Sequence, residues 1–109
     1  MKETFGEFIR KNRKQRGLTQ TQFAVKIGID AASVSKIETG KFILSEERLP
    51  ALAKFCEMDI RTLREEYFSE RIAHVLYNNK CSENTLVLAE QKMQYIKSKK
   101  VKQIILKLE

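Results

Sequence analysis

The sequence predicts an all-α protein: a five-helix domain followed by a C-terminal helical extension. Three observations point there. A single Pro and four Gly in 109 residues leave few helix breakers. Apolar residues recur at helical rather than alternating spacing in most of the chain. Capping residues stand where each periodic stretch begins.

Thr4-Phe5-Gly6-Glu7 has the spacing of a capping box and predicts a first helix from about Phe5 to Gln15. Phe5, Phe8, Ile9 and the stem of Arg16 fall on one face, and Gly17 supplies a left-handed stop. Thr19-Gln20-Thr21-Gln22 repeats the box, and Phe23, Ala24 and Ile27 give a helix of about two turns that Gly28 ends. Asp30 is an N-cap for a third short helix over Ala31 to Glu38, with Val34 and Ile37 inward and Gly40 closing it. The apolar loop Phe42-Ile43-Leu44 follows.

Ser45-Glu46-Glu47 predicts a fourth helix reaching about Cys56. Pro50 would then cost it one backbone bond, so this helix starts late or bends there. Asp59 caps a fifth helix carrying Ile60, Leu63 and Tyr67 and extending through Phe68 towards Ile72 and Leu76. After a break over Asn78 to Ser82, Leu86, Ala89, Met93, Ile96, Val101, Ile104 and Leu108 predict one long amphipathic helix from Glu83. The branched Val101, Ile104 and Ile105 equally admit a terminal strand. The expected division is residues 1–68 as one domain and 69–109 as its extension.

Twenty-one Lys and Arg against fourteen Asp and Glu leave a net charge of +7 and a pI near 9.5, which favours an anionic partner. Five of the seven residues from Arg10 to Arg16 are basic, and Lys97, Lys99, Lys100 and Lys102 make a second cluster. Either cluster also reads as a solvated helix face. No apolar run approaches the ~20 residues that span a bilayer, and Met1-Lys2-Glu3 leads into no signal-peptide core, so no membrane association and a cytoplasmic location are expected.

Cys56 and Cys81 lack metal-ligand spacing and read as free thiols. His74 stands without a second ligand or a nucleophile motif, and there is no Gly-rich phosphate loop. No metal, cofactor or enzymatic activity is therefore expected. Tyr67, Tyr77 and Tyr95 do not interleave with basic residues as a base-stacking platform for single strands would.

Two short helices joined by a tight turn, the second opening with small residues, form a helix-turn-helix. The residues Ile9-Arg10-Lys11-Asn12-Arg13, Gly17-Leu18-Thr19-Gln20, Phe23-Ala24, Ile27-Gly28-Ile29, Val34-Ser35-Lys36-Ile37-Glu38 and Gly40-Lys41 closely resemble the Cro/XRE-type repressor family. The resemblance covers residues 5–68. It implies five helices packed as one unit, with the third as recognition helix on double-stranded DNA. It further implies that Gln20 and the chain around Thr39 and Lys41 hold phosphates. Arg13 would pair with Glu38, orienting the recognition helix and placing a cation near phosphate. Free amides and the positive end of a helix dipole suit an anion at such a site.

With Val34 and Ile37 inward, the helical wheel turns Ala31, Ala32, Ser35 and Lys36 outward, with Ser33 at the edge. Lys36 can donate to guanine, the serines reach either type of base edge, and the alanines touch only thymine methyls. Many relatives carry longer polar side chains at the positions of Ala31 and Ala32, which shifts specificity towards Lys36 and DNA shape. Two further departures are Asn12, where an apolar residue is common, and Glu57, where a helix-ending glycine is common.

One recognition helix buries too little to select a genomic site, so a homodimer is expected. Leu86, Met93, Ile96, Val101, Ile104 and Leu108 are the candidate dimer or partner contacts. The same stripe alternatively packs back onto the fifth helix, or the Phe42–Leu44 loop supplies the contact. The expected function is that of a sequence-specific regulator, a repressor associated with the nucleoid when bound to DNA. An antitoxin that neutralises a toxin protein and a restriction-modification controller are the other readings.

Overall fold

The computed structural model describes residues 3–108, leaving aside the side chains of Ile104, Ile105 and Leu108. The stripe positions Ile104 and Leu108 thus lie outside the described side chains. In chain order the helices are α1 (Phe5–Gln15), α2 (Gln20–Ile27), α3 (Ala31–Glu38), α4 (Leu49–Cys56), α5 (Ile60–Asn78) and α6 (Asn84–Leu108), with a 3₁₀ turn at Glu46–Arg48 before α4. The described residues form no strand. The terminal-strand alternative is thereby settled in favour of helix, which satisfies its own backbone where a lone strand would have no partner. No described helix is long and apolar enough to cross a membrane.

A first compact unit ends at Ile72, and a second begins at Ala73. In the first, the caps at Thr19 and Asp30 form as the sequence leads one to expect, and at Thr4 one half of the expected box is made. Thr4 Oγ1 accepts from the Glu7 amide at 3.1 Å. Thr19 Oγ1 accepts from the Gln22 amide at 3.1 Å while Gln22 Oε1 accepts from the Thr19 amide at 2.9 Å, so both halves of that box are made. Asp30 accepts from the Ser33 amide and, through its other oxygen, from the Ser33 hydroxyl, both at 2.8 Å. Those two bonds hold the Asp30 carboxyl below its ordinary pKa, the amide bond contributing most.

Helix α4 departs from the expected start. Ser45 makes no side-chain cap bond, the chain takes one 3₁₀ turn, and α4 begins late enough to place Pro50 in its first turn. There its missing N–H has no intrahelical partner to lose. Helix α4 ends at Glu57 in the left-handed conformation, φ 53° and ψ 47°, which costs an L-residue roughly 1 kcal/mol. Replacing Glu57 by Gly is therefore expected to raise stability by about 1 kcal/mol. The thermal midpoint followed by circular dichroism should rise by about 4–8 °C.

The core of this unit gathers one face from each helix. Phe23, Ile27, Val34, Leu49, Leu52 and Leu63 are each at most 1% exposed, and the rings of Phe23 and Phe55 meet edge-on at 5.0 Å. Asn12, the departure in α1, is buried and satisfied: its amide donates to the Phe8 carbonyl at 2.9 Å and its oxygen accepts from Arg16 at 3.2 Å. The unit's two ends meet. The Phe5 amide donates to Glu70 at 2.8 Å, and the Phe5 and Tyr67 rings pack edge-on at 5.4 Å.

The second unit holds the end of α5 and helix α6. Leu86, Met93, Ile96 and Val101 are 49–58% exposed. Each of these four side chains thus keeps about half of its surface open to solvent.

Candidate nucleic-acid interface

Helices α2 and α3 are joined by Gly28, Ile29 and Asp30, with Gly28 left-handed at φ 76°. On α3, Val34 and Ile37 are buried, while Ala32, Ser35 and Lys36 are exposed. Two expected readers are less free than the helical wheel implied. Ala31 is half-buried and packs against the core, and the half-buried Ser33 has its hydroxyl engaged with Asp30. The open face of α3 is thus Ala32, Ser35 and Lys36.

The orientation of α3 is set from behind. Glu38 is 7% exposed, and its carboxylate accepts from Arg13 Nε at 2.7 Å, Arg13 Nη2 at 3.0 Å and Gln20 Nε2 at 3.2 Å. Arg13 also donates through Nη1 to the Leu18 carbonyl at 2.9 Å. One buried carboxylate therefore ties the end of α3 to α1 and to the first residue of α2, in the two-pronged geometry for which guanidinium is suited. The bond to Glu38 raises the Arg13 pKa against the opposing effect of burial. With a side chain only 10% exposed and three donors engaged, Arg13 faces inward. Gln20 is half-buried and keeps its oxygen and a second amide hydrogen uncommitted to that bond.

The residues after α3 are exposed. Thr39 donates its hydroxyl to the Ser35 carbonyl at 3.0 Å, and Lys41 stands in the turn that follows. The amides of Lys41 and Phe42 both donate to the Lys36 carbonyl, at 2.8 and 3.1 Å, with Gly40 left-handed at φ 81° between.

Sequence reasoning missed Gly6. An added Cβ there would lie 2.3 Å from the Ile37 carbonyl oxygen and 2.9 Å from that of Glu38. A glycine inside the first turn of an otherwise good helix was the available signal. Together, α1 and Glu38 present a short, exposed α3 beside the N-terminus of α2. That arrangement can place donors against an anionic backbone and a few side chains against base edges.

Residues 9–63, half of the chain, match the helix-turn-helix family HTH_3. No curated protein matches the chain. Among solved structures, the crystal structure of the P22 c2 repressor in complex with a synthetic operator is similar. It is 26% identical with a TM-score of 0.51, covering 56% of this chain and 92% of that one. The solution structure of the P22 c2 DNA-binding domain is 25% identical with a TM-score of 0.51, over 58% and 83% of the two chains. The restriction-modification controller C.AhdI from Aeromonas hydrophila is 30% identical with a TM-score of 0.48, over 54% and 89%.

Proposed function

Because the chain belongs to the HTH_3 helix-turn-helix family, we propose that it is a DNA-binding transcription regulator whose α3 enters the major groove. It acts in the cytoplasm as a homodimeric repressor. The observation that carries the reading is the exposed face of α3, held by the buried Glu38 carboxylate beside the N-terminus of α2. Lys36 is the principal base reader, Ser35 and Ala32 complete the contacted face, and Gln20, Thr39 and Lys41 engage phosphates. Arg13 contributes chiefly by orienting α3 through Glu38.

Selection of bound duplexes from a random pool tests this reading. An enriched sequence is expected, with binding that weakens steeply in salt, the log-log slope growing by about 0.9 for each phosphate contact. Lys36→Ala should lose about 1–3 kcal/mol of discrimination at one base position, whereas Gln20→Ala should weaken all sequences alike. No enrichment and no salt dependence would overturn the assignment.

The open apolar stripe of α6 supports a protein contact in addition. A second copy of the chain is the expected occupant, since two half-sites one helical turn apart need a two-fold dimer. Analytical ultracentrifugation should show a dimer. Co-purification with an unrelated small protein in its place would favour the antitoxin reading.

A further inference from the structure

We propose that Phe42 is a positioning residue for base readout: its ring holds the Lys36 ammonium on the open face of α3. This rests on Lys36 being a base reader as proposed above. Lys36 Nζ sits 4.5 Å from the centre of the Phe42 ring, within the range where the negative face of an aromatic ring attracts a cation. Both residues are exposed, Phe42 by 49%. Among the described residues Lys36 makes no ion pair, and its charge is the weakest of the influences that lower the Asp30 pKa.

The ring is placed by its backbone. The Lys36 carbonyl accepts from the amides of both Lys41 and Phe42, so the lysine and the ring over it are joined through one short hydrogen-bonded loop. On the far side of Phe42, Leu44 is 2% exposed and its carbonyl accepts from the Tyr67 hydroxyl. With the chain pinned before and after it, the Cα–Cβ bond that carries the ring is held beside Lys36. A solvated lysine has four rotatable bonds to immobilise when it reaches a base edge. Confining the stem beforehand lowers that loss, and guanine can then take the ammonium in place of the ring.

The test uses three variants of the full chain, checked for helicity by circular dichroism: Phe42→Leu, which keeps apolar bulk without the π face, Phe42→Tyr, which keeps the face, and Phe42→Leu combined with Lys36→Ala. Each is measured against the selected duplex and against the duplex changed at the base position that Lys36→Ala identifies. Phe42→Leu is expected to lose about two- to fivefold in discrimination at that position and to keep it elsewhere. Phe42→Tyr should retain it, and the double variant should be no less selective than Lys36→Ala. In the free protein, the Lys36 ε-methylene resonances should lie upfield from the ring current and move back in Phe42→Leu. Unchanged discrimination in Phe42→Leu, or an equal loss with and without Lys36, overturns the positioning role alone. A wild-type chain that enriches no sequence, or a Lys36→Ala variant with unaltered base preference, overturns the underlying reading.

Discussion

Glu38→Ala is expected to cost the first unit about 3–5 kcal/mol, the range for stranding one partner of a buried ion pair. The Arg13 side chain, only 10% exposed in the intact pair, would be left with two donors released, and the Gln20 amide would lose its anchor as well. Small domains have about 5–15 kcal/mol in total, so the urea midpoint should fall by about a fifth or more. A companion experiment separates the pair's net worth from the cost of an orphaned charge. Arg13→Met with Glu38→Leu removes both charges at similar volume and should recover most of the lost stability. The double variant should still bind DNA poorly, because α3 is no longer registered against α2.

Gly6→Ala is expected to be nearly as damaging through a different cause. The new methyl would meet two backbone carbonyl oxygens at the end of α3, the nearer at 2.3 Å, and no rotamer change relieves a clash with backbone. Overpacking of this sort costs about 1–3 kcal/mol, and the upper part of that range is expected here. Helix α1 must move away from the last turn of α3, or α3 must tilt. Binding to the selected duplex should fall further than stability does, because reading depends on where α3 points. Denaturation midpoints and fluorescence anisotropy on the same preparation check both parts.

Helices α1, α2 and α3 were readable because their signals are local: Thr4, Thr19 and Asp30 cap the turns immediately after them, and the apolar spacing needs no knowledge of partners. The start of α4 is undecided by local signals because Ser45 and Pro50 make competing demands that only the chain's actual path resolves. The terminal helix was ambiguous because Val101, Ile104 and Ile105 suit either regular structure. In the candidate interface, the pairing of Arg13 with Glu38 followed from resemblance. The burial of that pair, the bond from Gln20 and the half-covered state of Ala31 depend on residues distant in sequence. A helical wheel places side chains around one axis and says nothing of what stands beside it. Gly6 is silent for the same reason, since its neighbours Ile37 and Glu38 lie on another helix.

The bond between the Phe5 amide and Glu70 has a consequence for how the first unit comes apart. Chain ends ordinarily fray, opening at almost no cost while the interior stays intact. Here the entering segment and the departing helix hold each other across sixty-five residues, and the same junction seats Phe5 against Tyr67, whose hydroxyl anchors the loop after α3. Detaching either end uncovers both rings and loosens that loop. Unravelling from either side is thus linked to melting of the centre, and the unit is expected to melt as a single cooperative block whose physical limits lie outside residues 9–63.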